Sequence, residues 1–453
     1  MREGQYRWGL AETLPEIGEH SKVKHDLYRQ YLRRYLEELI KPRGFRQYGI
    51  EIFDTFSGGG VYRQRGTPDL YYGSPIIILE VLHEMQQRIQ ENQRNVFQLN
   101  WRLHLVDANR SAHDVLRRTL AERGYVQYLG SQIILHEGKF EGVLPNLIGR
   151  VHGRRKAIFL LDQFGYRDVP FKAISQIFES LHKPEVILTF AFDQLARWMQ
   201  DYDRLDEQLR HLGVEGLTRE TFDVAAQAEN GIHGLIQRLL TQSFERTAKY
   251  YTPFFITSRK SHTAYWLVHL STHARARDVM TTLHWAQSNQ FSHYGGSGYN
   301  MLGFDPYSPP PNSQGFMFDE DARSRTEWLL QEDLPKLLDK YGAPISFRQF
   351  FAENANHSPA DSTIIRQVFA QLAEHKQVHI LTADGGEKRV LSSMKPDDVL
   401  ILPEQPTFHF LRRPAPTHAL AKNLTGKPKV SSVRRPSRAR VNFGPLLIPS
   451  DKK

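Results

Sequence analysis

The sequence predicts an α/β fold: a mostly parallel sheet over the first part of the chain, interrupted by a helical insertion, then a small winged-helix domain and a basic tail. Three observations carry this. Short apolar runs alternate with amphipathic helical stretches, the signature of βαβ units and of parallel strands buried on both faces. Several of those runs end in an acid followed by a turn. From Gly342 the pattern changes to helix, helix and hairpin.

The first element, Glu19 to Lys41, places Leu27, Tyr28, Tyr31, Leu32, Tyr35, Leu36 and Leu39 at helical spacing and ends near Pro42 and Gly44. Gln47–Phe56 reads as a strand running into Ser57-Gly58-Gly59-Gly60. A helix over Ile76–Gln90 follows, with Ser74 as its cap and Pro75 in its first turn. Leu99–Val106 is a strand ending in Asp107, followed by a helix from about Ser111 to Arg123 and a short strand at Gln132–His136. A helix near Val143–Gly153 precedes the apolar run Lys156–Leu161, which ends in Asp162. Phe171–Leu181 is a helix and Glu185–Phe190 a strand.

Asp193 to Lys249 is polar and helical. Tyr250–Ile256 and Thr263–Leu270 read as paired strands, and 288–315, rich in Gly, Pro, Ser, Asn and Tyr, as a long loop. In the C-terminal domain, helices are expected at Ser346–Glu353 and Asp361–His375. Strands at Val378–Leu381 and Lys388–Leu391 would flank the turn Asp384-Gly385-Gly386. The expected domains are therefore 1–341, with the insertion at 193–249, then 342–411 and the tail 412–453.

Composition narrows the function. The chain has 453 residues, no cysteine and a formal charge of +9. Disulfides, thiolate metal sites and cysteine nucleophiles are thereby removed, among them the nucleophile that cytosine-C5 methyltransferases require. No apolar run approaches the roughly 20 residues of a membrane span, and Met1–Leu10 lacks a signal-peptide core, so a cytoplasmic protein is expected. From Arg412 to Lys453 the chain carries eleven Lys/Arg and one Asp, which leaves the preceding residues at about −1. The basic excess is thus a tail suited to phosphate contacts or to a solvated appendage.

Three strand-end acids are the candidate chemistry. In Asp54-Thr55-Phe56-Ser57-Gly58-Gly59-Gly60, glycines let backbone N–H groups approach a ligand beyond the carboxyl end of a strand. No Gly-Lys-Ser/Thr follows, and a carboxylate suits the cationic amino-acid end of S-adenosylmethionine better than a pyrophosphate. Asp107 is placed to hold a ribose diol, although it lies further from the glycines than in dinucleotide-binding folds. Asp162, in Asp162-Gln163-Phe164-Gly165-Tyr166, could accept a proton or hydrogen bond from an amino group while an aromatic stacks a planar base. Each acid alone also reads as a capped turn. His269 and His273 are four apart, but a strand-to-turn context spoils a two-His metal site, and no metal is expected.

These motifs resemble the three-Cys-motif partner family. The matching features are Lys22–His25 with the tyrosines after it, Asp54–Gly60, Tyr72-Gly73-Ser74-Pro75, Leu160–Tyr166 and Trp266–Met280, spread from Glu19 to about Tyr341. The resemblance implies a Rossmann-like class I methyltransferase sheet closed by a late antiparallel strand, and a partner protein bearing the cysteine motif. The chain is more distantly similar to the enzymes that methylate an adenine amino group of large-subunit ribosomal RNA. That likeness implies that Lys24, His25 and Ser74 line the cofactor site with Asp54, Phe56, Ser57, Gly58 and Gly60, that Asp107 holds the ribose, that Asp162 receives the amino group and that Phe164 or Tyr166 stacks the base. Asp-Gln-Phe-Gly-Tyr departs from the Asp-Pro-Pro-Tyr of those enzymes at both prolines. The function expected is S-adenosylmethionine-dependent methylation of nucleic acid, with the winged helix and tail holding the substrate. The alternative is a non-catalytic partner protein that keeps the fold.

Overall fold

A computed structural model of the chain describes residues 8, 14–40, 47–91, 98–198, 200–227, 231–257, 264–287, 291–293, 316–317 and 320–403. The described residues all fall within one compact unit. The basic tail, and all of the expected 288–315 loop except 291–293, lie outside the described residues.

Helix α1 (Glu19–Ile40) precedes β1 (Gln47–Asp54), the hairpin β2 (Val61–Arg63) and β3 (Leu70–Tyr72), then α2 (Ser74–Glu91). Next come β4 (Gln98–Asp107), α3 (Arg110–Glu122), β5 (Ile133–Glu137), α4 (Phe140–Gly149), β6 (Lys156–Asp162), α5 (Phe171–Ser180) and β7 (Glu185–Phe190). The excursion is four helices, α6 (Phe192–Ala196), α7 (Tyr202–Leu212), α8 (Arg219–Ala226) and α9 (Gly231–Thr247). Strands β8 (Tyr250–Thr257) and β9 (Ala264–Ser271), helix α10 (Ala274–Ala286) and the short strands β10 (Phe291–His293) and β11 (Phe316–Met317) complete the large sheet and its cover.

The sheet runs β11-β10-β8-β9-β7-β6-β1-β4-β5. From β5 to β7 every pairing is parallel, whereas β9 is antiparallel to both β7 and β8. Leaving aside the small hairpin and the two short edge strands, this order is 3-2-1-4-5-7-6 with only the seventh strand reversed, the topology of a class I methyltransferase.

Strand alternation decides which side chains face which layer. Ile50 and Ile52 of β1, Leu103 and Leu105 of β4, and Ile158 and Leu160 of β6 pack into one core with α1, α2 and α10. Phe53, Val106, Phe159 and Leu161 pack into the other, with α4, α5 and the excursion helices. Helix α1 turns the apolar stripe Leu27, Tyr28, Tyr31, Leu32, Tyr35 and Leu36 onto the first face.

The C-terminal core gathers α11 (Glu320–Tyr341), β12 (Ile345–Ser346), α12 (Phe347–Asn354), α13 (Ser362–Glu374), β13 (His379–Leu381) and β14 (Val399–Ile401). Leu330, Leu334, Leu337 and Leu338 of α11 are part of it, so this core begins ahead of residue 342. One expectation needs correcting. Lys388–Leu391 is not the partner strand of β13; that partner is β14, which also pairs with β12. The chain does turn back antiparallel, with Glu387 bridging Leu381 and Lys388 N–H donating to Ile380 O at 2.9 Å, but Lys388 is drawn inward to Asp398 at 2.7 Å and Leu391 opens a 3-10 turn, so the ladder stops there.

Candidate active site

All three acids share the alternation parity of the α1 face: 54 follows 50 and 52, 107 follows 103 and 105, and 162 follows 158 and 160. The register then separates them along the strands. Asp54 lies opposite Leu105 of β4 and Leu160 of β6, so Asp107 and Asp162 each extend two residues past it, about 6–7 Å at strand rise. Strand β1, ending two residues short of the ends of its neighbours, makes a notch with Asp54 at its floor. It is also where the strand order reverses, the usual ligand crevice of an open α/β sheet.

The chain leaving the notch is tied to both neighbours. Thr55 N–H donates to Leu160 O at 3.1 Å and Ser57 N–H to Val106 O at 3.0 Å. The Ser57 hydroxyl repeats the second contact at 3.2 Å, so it is occupied by the backbone. Gly58 and Gly60 have φ of +57° and +69°, which only glycine adopts without strain. Gly58 N–H donates to Asp107 Oδ2 at 3.0 Å, and Asn109 N–H donates to Asp107 Oδ1 at 2.7 Å. Asp107 therefore joins the glycine loop to the start of α3, with the remaining lone pairs of each oxygen open to a further donor. Phe56 is half-buried beside Phe140, at 6.2 Å between ring centroids.

Asp54 is 1 % exposed; the Ser74 hydroxyl and the Phe56 N–H face its carboxylate, but neither completes a well-formed hydrogen bond. Burial pushes its pKa up to about 7; the neighbouring Ser74 hydroxyl opposes the rise, and Asp162 and Asp107 add to it. A buried carboxylate without a well-formed hydrogen bond is costly, and this one is placed to meet a cationic ligand group. Ser74 is not the cap of α2. The helix begins at Ser74 itself, and the Gly73 carbonyl accepts its first bonds from Ile76 and Ile77 N–H, both at 3.1 Å, which leaves the hydroxyl to face Asp54.

Asp162 is held by Lys24 of α1, Nζ to Oδ1 at 2.5 Å, with side-chain exposures of 10 % and 17 %. Next in sequence, His25 faces the β2–β3 hairpin. It is 3 % exposed, lies parallel to Tyr71 of β3 at 5.7 Å, and is kept neutral by burial, which lowers its pKa to about 4. Gln163 stands where a proline was expected from the related enzymes. It is buried, its Oε1 accepts from Asp168 N–H at 3.0 Å, and its Nε2 has no partner. Phe164 is half-buried at the strand tip. Tyr166 faces inward: it is 6 % exposed, its hydroxyl donates to Gln208 Oε1 at 2.9 Å, and it accepts from Trp198 Nε1 at 3.1 Å. Of the two aromatics, Phe164 is thus the one left near the notch. His269, four residues before His273, lies in the core, with its Nε2 2.9 Å from the Tyr31 hydroxyl and 3.3 Å from Glu185.

Two participants escaped the sequence reading. Trp8 lies against the glycine loop, and a methyl group on Gly58 or Gly59 would come within 2.4 or 2.3 Å of its ring. Its Nε1 donates to Val61 O at 3.1 Å. Nothing in the primary structure ties residue 8 to residue 58. Tyr28, whose hydroxyl lies 3.4 Å from that of Thr189, sets the depth of α1 beside Asp162; its spacing marked it as core and not as part of a site.

A family profile described as GMT-like wHTH domain matches residues 303–385. No curated protein matches. Solved structures similar to this chain include the plantazolicin methyltransferase BamL with a desmethylPZN analog and SAH (11 % identity, 56 % of this chain and 86 % of that one, TM-score 0.26). A putative rRNA-methylase from Clostridium thermocellum is 9 % identical over 56 % of this chain and 98 % of that one, with a TM-score of 0.28. The METTL16 MTase domain is 9 % identical over 56 % and 68 %, with a TM-score of 0.25. Similarity at that level carries none of the fold assignment, which rests on the strand order; the winged helix rests on its three helices, its small sheet and the profile match.

Proposed function

We propose that the protein is an S-adenosylmethionine-dependent methyltransferase acting on an amino group of a nucleic-acid base. The observation that carries this is Asp54: a buried carboxylate with no cation beside it and only weak contacts from Ser74 and Phe56, at the floor of a notch flanked by two further strand-end acids in a class I methyltransferase sheet. The residues fit the cofactor. Asp54 with Ser74 meets its cationic amino-acid end, Asp107 its ribose hydroxyls, and the Gly58–Gly60 backbone its approach. When bound, the cofactor supplies a methyl group activated on a sulfonium.

The protein's own part is positioning and proton handling. Asp162 Oδ2 accepts a hydrogen bond from the target amino group, drawing its hydrogen aside so that the nitrogen lone pair is available, and takes up the released proton. Lys24 fixes the other oxygen. Phe164 provides a face for the base, and Tyr166 braces the turn from the core. The winged helix and the basic tail supply phosphate contacts, and the setting is cytoplasmic. The resemblance to three-Cys-motif partner proteins adds a protein bearing that motif as companion.

A second reading, a methyltransferase fold kept without catalysis, is favoured by one observation: Lys24 already occupies an oxygen of Asp162, with Gln163 buried where the related enzymes carry proline. Calorimetric titration with S-adenosylmethionine, followed by tritiated methyl transfer to mixed DNA and RNA with Asp162→Ala as blank, separates the two. Binding with transfer lost in the variant supports the enzyme. Binding without transfer to any substrate supports the partner reading, and no binding by the folded protein overturns both roles assigned to Asp54 and Asp107.

A further inference from the structure

Lys24 and His25 are neighbours on α1: one side chain reaches Asp162, and the other lines a cavity against the β2–β3 hairpin while still feeling the Asp162 charge. That cavity has a volume of about 360 Å³ and is walled by His25, Arg29, Leu70, Tyr71, Tyr72 and Glu80, between α1, the β2–β3 hairpin and α2. Nothing in the methyl-transfer reading uses it.

One cation, Arg29, is in its wall with Asp26, and two more stand beside its tyrosines. His25 lies parallel to Tyr71, with an Nδ1 that has no hydrogen-bond partner. Lys22 Nζ stands 6.0 Å from the Tyr71 ring centre and the Arg123 guanidinium 4.6 Å from that of Tyr72. The carboxylates around it are already engaged. Glu80 accepts from Arg29 at 2.6 Å and Arg123 at 3.0 Å, and Asp26 accepts from Gln30 at 2.8 Å and Gln287 at 2.9 Å. Leu70, at the mouth, is 46 % exposed, one of few large apolar side chains so exposed among the described residues. Tyrosine faces interleaved with Lys and Arg are the pattern that holds unstacked bases and their phosphates, and the volume suits one nucleoside.

We propose that this cavity binds one nucleotide of a single-stranded nucleic acid, the base on the Tyr71 and Tyr72 side and the phosphate among Lys22, Arg29 and Arg123. The bound nucleotide flanks the target base whose amino group reaches Asp162. A duplex cannot enter, because its bases present edges and not faces. The proposal rests on the nucleic-acid reading of the protein but not on methyl transfer itself.

The test uses the full-length protein, a 5′-labelled single-stranded decamer followed by fluorescence anisotropy, and adenosine 5′-monophosphate as competitor. S-adenosylmethionine affinity is measured in parallel. Tyr71→Ala and Leu70→Glu, the latter at an exposed position and so safe for folding, are expected to weaken the decamer about tenfold or more. Tyr71→Phe, which keeps the ring, should stay within about twofold, and all three should keep the wild-type cofactor affinity. Decamer binding unchanged in both weakening variants, or absent from the wild type, overturns the cavity proposal. So does a cofactor affinity that falls in step with it, because the cavity would then belong to the cofactor site. A protein that binds no cofactor but still loses the decamer in these variants retains the cavity and sinks the methyltransferase reading.

Discussion

Replacing Asp54 by Asn tests the notch by making the protein more stable and less functional at once. In the folded chain the Asp54 pKa is raised by burial to about 7, against 3.8 when unfolded. Below about pH 4 both states are protonated and no penalty exists. As pH rises from there to 7 the unfolded chain sheds the proton and the folded chain keeps it, so stability is lost at about 1.4 kcal/mol per pH unit. Above pH 7 the loss levels off near 4 kcal/mol; at pH 5 it is only about 1.6 kcal/mol. Asn cannot ionise, so the variant escapes the penalty. Whatever constant cost its unpaired amide brings cancels between two pH values. Urea unfolding of wild type and Asp54→Asn at pH 5 and pH 8 should therefore show a variant advantage larger at pH 8 by about 2–3 kcal/mol. The same variant should lose S-adenosylmethionine binding, and wild-type binding near pH 7 should release a fraction of a proton, read by calorimetry in two buffers of different ionisation enthalpy. An advantage equal at both pH values would refute the claim that a buried carboxylate with a raised pKa sits at the floor of the notch.

Four further outcomes are expected. Gly58→Ala, at φ +57° with Trp8 ring atoms 2.4 Å from the new methyl, should cost about 1–2 kcal/mol of backbone strain and dislodge Trp8, seen as a red shift in tryptophan emission. Arg277→Ala should release the C-terminal core from α10. Arg277 is fully buried and donates to Ala360 O at 2.9 Å and Ser358 O at 2.5 Å, while Asp278 beside it accepts from Ser362 N–H and Oγ, both at 2.7 Å. Asp278 keeps Arg275 at 2.6 Å, but the two buried carbonyls lose their donor, at about 1–3 kcal/mol each, and limited proteolysis should now cut around 342–362. His136, kept neutral by burial with a pKa lowered to about 4, lies 3.0 Å from His104, which in turn lies 2.9 Å from Glu51. Its folded pKa is below the unfolded one, so stability should fall as pH drops from about 6.5 to 4, and His136→Gln should flatten that limb of a thermal-unfolding profile. Truncation after residue 411 removes eleven cations and should reduce the salt slope of nucleic-acid binding without touching cofactor affinity.

The winged helix gives the clearest case of a module legible in sequence whose surroundings only packing decides. Its two short helices and the Asp384-Gly385-Gly386 turn were readable from local chemistry. The turn leading into α13 is nevertheless buried on α10, with Ser358, Ala360, Asp361 and Ser362 all at most 5 % exposed. The end of the helix that such modules commonly present to a DNA groove is therefore committed to the protein's own body.

By itself the sequence determined whatever depends on local propensity and period. Apolar runs of strand length, helical stripes such as Leu27 to Leu36, glycines after Asp54 and acids at strand ends are each written in consecutive residues, and they sufficed for the α/β class and for the three acids. Tertiary structure alone decided what those acids do. Register places Asp107 and Asp162 two residues beyond Asp54, parity turns all three toward α1, and α1 then carries Lys24 to Asp162 across 138 residues of sequence. The same packing separated two aromatics two residues apart in the sequence, drawing Tyr166 into a hydrogen-bonded core while Phe164 stayed at the tip. It also set Trp8 on the glycine loop and left Lys388 out of the wing strand. The physical reason is the same throughout: a side chain's local pattern fixes the element it sits on, but its protonation, partners and access depend on which distant groups the folded chain brings within a few ångströms.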